Sequence, residues 1–166
     1  PVSISYEWEP CDILKTLELY ESQYTKYTKK PGEDLNSILT GIIQPKGRVH
    51  IELCHPIEKS ELMEFEELTN NDYHKAVAQL ISCRINTAYR LYPNNYIAHD
   101  LRFGNTKYSA KYSDKQYRLF LNKLAELDRY DTCNLDQLKD LFLSIYSNPV
   151  DNSTVTRQST KENSVE

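Results

Sequence analysis

The chain has 166 residues, about one domain's worth, and an apolar fraction of 39%, low for a self-sufficient core of that size. A net charge of −4 excludes a generic nucleic-acid binder, which needs a basic face. No stretch approaches the roughly 18–20 apolar residues that span a bilayer.

Thirteen tyrosines partly offset the thin core, because each joins an apolar ring to a hydroxyl that needs a partner. From the start, Val2, Ile4 and Tyr6 alternate with Ser3, Ser5 and Glu7. That period predicts a half-buried strand. A strand at the first residue has an edge that needs a neighbour, and sequence ahead of Pro1 would most easily supply it.

Asp12 reads as the N-cap of a helix carrying Ile13, Leu14 and Leu17. The Lys- and Thr-rich run from Tyr24 to Gly32 reads as a loop. Leu35–Ile43 and Arg48–Leu53 flank the tetrad Gln44-Pro45-Lys46-Gly47, so they read as a hairpin or close strand pair. In the second run Val49, Ile51 and Leu53 form the dry face, and Pro56 stops the strand.

The second half is helical. Ser60 is taken as the cap of a short helix reaching Leu68, and Asn70 or Asn71 as the cap of a longer one. The longer helix carries a stripe from Val77 to Tyr92, which reads as core rather than as an acyl groove. Pro93-Asn94-Asn95 breaks it, and a short helix follows from Tyr96 to Phe103. Ser113 with Gln116 makes a capping box, and a last helix spans Leu135 to Tyr146. The Ser-, Thr- and Asn-rich tail from about Asn148 predicts disorder. The expected class is α/β (α+β for a fragment): a few-stranded sheet portion, a helical C-terminal region and a disordered tail. The expected boundaries are 1–57, 58–147 and 148–166.

Motifs that carry chemistry are sparse. Cys11, Cys54, Cys83 and Cys133 lie far apart in sequence, so they read as free thiols of a reducing compartment. His50, His55, His74 and His99 have no metal-ligand spacing and read as solvent-facing or half-buried side chains. Four glycines supply no phosphate loop, and no Gly-x-Ser-x-Gly elbow occurs. Lys46 and Arg48 flank Gly47 and could meet a phosphate or a carboxylate, though a basic exposed turn needs no ligand. No metal ligand and no cofactor is assigned.

Several segments carry a family signal as an ordered set: ISYEWEPCDILK, DLNSILTGII, KGRVHIEL and RLYPNNYIAHDL. PVSISYEWEPCD resembles the fourth conserved block of the glycerophospholipid acyltransferases, and KGRVHIELCHPI resembles a later strand of that family. The set, over about residues 1–105, is similar to a bacterial subgroup of 1-acyl-glycerol-3-phosphate acyltransferases. The resemblance implies acyl transfer from an acyl thioester, on coenzyme A or acyl carrier protein, to a glycerol-phosphate hydroxyl. It implies a cytoplasmic enzyme peripheral to the inner membrane. The family's His-x4-Asp supplies a general base and its orienting carboxylate. Here the residues five beyond the four histidines are His55, Ser60, Gln79 and Gly104, so no catalytic residue carries over. The chain then reads as the C-terminal part of such an enzyme, inactive alone, with its catalytic blocks ahead of Pro1. Pro1, Val2, Ser3, Ile4 and Ser5 would lie near the substrate. The reading from another class is a non-enzymatic helical protein-interaction module.

Overall fold

The structure, a computed structural model, describes the backbone of residues 1–162 and side chains through Ser153. Its elements are β1 (Val2–Tyr6), α1 (Asp12–Tyr24), α2 (Glu33–Ile43), β2 (Val49–Leu53), α3 (Lys59–Met63), α4 (Asn70–Ala88), α5 (Pro93–Arg102), α6 (Asp114–Ala125) and α7 (Leu135–Glu162). Short 3-10 turns follow at Ser109–Lys111 and Glu126–Arg129. The class is mixed α and β, rich in helix, with one two-stranded sheet among the described residues. The chain divides into two compact units. The first takes Pro1–Ser5, Val49–Arg90 and, of the last described residues, 151–162, and the second takes Tyr6–Arg48 and Leu91–Val150.

In the first unit β1 and β2 pair directly. Cys54 donates its N–H to the Pro1 carbonyl at 3.0 Å, and beyond the other end of the pair Glu7 donates to Arg48 at 2.9 Å. These bonds fix an antiparallel register that sets Ser3 opposite Glu52 and Ser5 opposite His50. The other face then carries Val2 opposite Leu53 and Ile4 opposite Ile51. The strands are where the alternation predicts, but the faces are reversed. Ser3 and Ser5 are fully buried, while Ile4 is 45% and Ile51 64% exposed. The cause is the C-terminal end of α4. Ser3 donates its hydroxyl to the Ile85 carbonyl at 3.1 Å, and Ser5 accepts from the Arg90 N–H at 2.9 Å. A helix end leaves such backbone groups unsatisfied, and two small hydroxyls reach them where Val or Ile could not.

Along α4 the expected stripe is half-buried: Val77, Leu80, Ile81 and Ile85 are neither exposed nor fully enclosed. Arg84 anchors the preceding segment, pairing with Glu61 and donating to the His55 and Pro56 carbonyls. The short helix α3 is capped by Glu58 with Glu61, two residues earlier than the expected Ser60 cap, and it ends at Met63 and not at Leu68.

The second unit holds the core. Ile13, Ile97, Ala98, Phe120, Leu127, Leu138, Phe142, Leu143 and Tyr146 form one buried cluster. Aromatic rings dominate it: Trp8 stacks on Phe120 at 5.9 Å, and Tyr146 meets the Phe120 ring edge-on at 5.3 Å.

Three sequence expectations are corrected here. Leu35–Ile43 is not a strand, and there is no hairpin at Gln44–Gly47. The run is helix α2, because Leu35, Ile38, Leu39 and Ile42 repeat at helical spacing and Glu33 and Asp34 suit its first turn. The helix before Pro93-Asn94-Asn95 does end, at Ala88, but these three residues open α5 instead of preceding it, so α5 starts at Pro93 and not at Tyr96. Pro93 occupies the first turn, where its missing N–H costs nothing, and Asn95 accepts from the Tyr92 N–H at 2.7 Å. The last helix does not end at Tyr146. It continues past Pro149, with Ser147 and Val150 buried, so order does not stop at Asn148. Burial outweighs the one backbone bond that Pro149 removes. Residues 163–166 of the expected tail lie outside the described residues.

Candidate functional site

The five residues predicted near substrate are Pro1 and the start of β1, and three of them are engaged by the fold itself. The Pro1 carbonyl is taken by Cys54, and the Ser3 and Ser5 hydroxyls are taken by the end of α4. Only the side chains of Val2 and Ile4 face outward, 46% and 45% exposed. The register also turns the amides of Val2, Ile4 and Tyr6 away from β2, toward an edge that no other strand among the described residues covers.

In the second unit, three of the sequence blocks meet around Glu7. The Arg48 guanidinium grips the Glu7 carboxylate through Nε at 3.1 Å and Nη2 at 3.0 Å, and the Arg48 N–H adds a third bond at 3.0 Å. This hydrogen bonding holds the Glu7 carboxyl below its ordinary value of 4.5. Arg48 also lies 5.1 Å over the Tyr92 ring, and Asn94 donates its amide to the Glu7 carbonyl. Gly47 has φ +62°, and a Cβ there would come within 3.0 Å of the Glu7 Cβ. Glycine is therefore needed on both conformational and steric grounds. The carboxylate that Arg48 meets is thus the chain's own. Lys46 is occupied as well, donating to the Ile42 and Gln44 carbonyls at the end of α2.

Sequence reasoning missed a second cluster beside this one. Asp12, 2% exposed, accepts from the Tyr146 hydroxyl at 2.8 Å and from the Ile13 N–H at 2.7 Å. Lys123 stands 3.4 Å from its other side. Burial nonetheless pushes the Asp12 carboxyl above its ordinary value, since desolvation outweighs these partners. Tyr146 completes a chain by accepting from the Glu9 N–H at 3.0 Å, and burial raises its own hydroxyl strongly. A cavity of about 390 Å³ opens alongside, walled by Trp8, Pro10, Pro45, Leu119 and Lys123. The signal in the sequence is a carboxylate between Cys11 and Ile13 and a tyrosine on the apolar stripe of the last helix, which only the packed structure joins.

None of these groups is poised for nucleophilic chemistry. Burial pushes the Cys11 thiol up, away from the reactive thiolate, and all four cysteines are free. His99 and Asp100 are sequence neighbours 3.7 Å apart, beyond hydrogen-bonding distance. Asp100 instead accepts from the Tyr108 N–H and the Tyr112 hydroxyl, which clamps the segment after α5. The His99 ring packs on Phe103 and Tyr108. His50 and His55 sit beside Glu52 and Glu58 on the surface. Among the described residues no group of three or more His, Cys, Asp or Glu side chains could hold a metal.

No protein-family model matches this chain, and neither a curated protein nor a solved structure matches it. No helix among the described residues is long and apolar enough to cross a membrane.

Proposed function

We propose that this chain is the C-terminal portion of a phospholipid-biosynthesis acyltransferase that moves an acyl group from an acyl thioester to a glycerol-phosphate acceptor. The donor is acyl-CoA or acyl carrier protein. The enzyme works in the cytoplasm, peripheral to the inner membrane, and its His-x4-Asp lies in other sequence.

The observation that carries this reading is the convergence at Glu7. Segments of EWEPCD, KGRVHIEL and RLYPNNYIAHDL, far apart in the chain, meet there through the Arg48 grip, the Tyr92 ring and the Asn94 amide. A shared junction gives the ordered set a physical reason to occur together. The outward apolar face and open edge of β1 and β2 fit a sheet that continues into other polypeptide. The chain's own groups would then contribute shape and support, not proton transfer.

The same uncovered face is what a non-enzymatic interaction module would present to a protein partner, so that reading stands second. One experiment separates them. The reading frame ahead of Pro1 is sequenced, and the extended polypeptide is assayed for transfer from acyl-CoA to lysophosphatidate. The acyltransferase reading expects a His-x4-Asp upstream and turnover that is lost when that His becomes Ala. A frame without the motif, or an extended polypeptide without turnover on either donor, overturns it.

A further inference from the structure

Helix α2 is seated inside out. Its polar and small positions face the protein: Ser37, Thr40 and Gly41 are half-buried, and the Cys11 Sγ donates to the Ser37 carbonyl at 3.5 Å. Its aliphatic positions face away. Leu35, Ile38, Leu39, Ile42 and Ile43 are exposed by 62%, 59%, 47%, 69% and 74%, and no residue of α2 is buried. Four of these fall at i, i+3, i+4 and i+7, a single stripe along a helix about 16 Å long.

Charge decides what suits the stripe. The chain is acidic overall, yet Lys26, Lys29 and Lys30 precede α2, and Lys46 and Arg48 follow it. Against these five cations the segment has only Glu33 and Asp34. Lys29 pairs with Asp34, and Arg48 pairs with Glu7, while Lys26 and Lys30 make no ion pair among the described residues. A second copy of the chain would bring these lysines against each other. Five aliphatic side chains also offer roughly 300–600 Å² per copy, short of the ~800 Å² per partner of a stable interface. An anionic lipid surface accepts both features: aliphatic side chains enter the acyl boundary while lysines meet the headgroups.

We propose that α2 is an interfacial docking helix for an anionic phospholipid bilayer, lying in the membrane plane on its Leu35–Ile38–Leu39–Ile42 stripe. This extends the acyltransferase reading, since it places a lipid-directed enzyme on its substrate's surface, but binding is read without turnover. Vesicles bound by a chain whose extended form lacks activity would retire the enzyme reading alone. Activity without docking through α2 would retire the docking alone.

The test is co-sedimentation of the purified full chain with vesicles of phosphatidylcholine, and of phosphatidylcholine with one-third phosphatidylglycerol. Binding is expected to the anionic vesicles, weakening as salt rises. Ile38→Glu with Ile42→Glu is expected to reduce it at least about tenfold. Both positions already face water, so helical circular dichroism should be unchanged. Met63→Glu, an equally exposed change on α3, is expected to leave binding intact. Absence of vesicle binding, equal binding by the α2 variant, or dimerisation that the α2 variant abolishes without any vesicle binding would each overturn the proposal.

Discussion

Asp12 is a charged side chain almost wholly out of water, and its three partners decide whether it is tolerated. Removing the Tyr146 hydroxyl leaves the Asp12 carboxylate and the Glu9 N–H each short of a partner, so Tyr146→Phe is expected to cost about 1–3 kcal/mol. Asp12→Ala should cost more, about 3–5 kcal/mol, because it also leaves Lys123 beside a buried gap. Urea unfolding of both variants checks the order, and a reversed order would contradict the network. Glu7 has the opposite electrostatics. Its carboxyl is held below 4.5, so its pairing with Arg48 stabilises the fold fully above the ordinary carboxylate range. That stabilisation is lost as pH falls through the lowered value. Glu7→Gln should therefore cost about 1 kcal/mol near neutral pH, less at high salt because Arg48 is mostly exposed. The difference from wild type should shrink toward strongly acidic pH. A gap that widens on acidification would contradict the pairing.

At the scale of elements, periodicity located β1, β2 and the helices from α4 onward, and the capping box at Ser113 and Gln116 placed α6. What periodicity could not give is direction. Alternation in β1 separates Val2 and Ile4 from Ser3 and Ser5, but the backbone groups at the end of α4 determine which set is covered. In the isolated chain, Ser5→Ala is expected to cost about 1–3 kcal/mol by stranding the Arg90 N–H. Ile4→Ala should cost under about 1 kcal/mol, since half of that side chain is already in water. Denaturant midpoints ranked the other way would mean that the face is covered. The sequence of α2 reads as a strand because adjacent Ile42-Ile43 and the following Gln-Pro-Lys-Gly resemble a strand and turn. The helical spacing of Leu35, Ile38, Leu39 and Ile42 was present in the same residues. Asp12 was legible as a helix start, whereas its tie to Tyr146, 134 residues on, was not.

For the whole molecule, low apolar content and outward aliphatic faces belong together. The second unit encloses an aromatic core, while the sheet of the first unit and the stripe of α2 leave Ile, Leu and Val in water. A chain with so thin a core spends few aliphatic residues idly. The junction at Glu7 gives the sequence blocks a structural purpose, and Gly47→Ala should disturb it by about 1–3 kcal/mol through strain and crowding against Glu7. His50 and His55 lie beside Glu52 and Glu58 at the surface, so the contacts given for these two are exposed ones. The most direct measurement is an acyl-transfer assay of the purified 166-residue chain with acyl-CoA and lysophosphatidate. Zero turnover above the uncatalysed rate is expected; steady turnover by this chain alone would contradict the account.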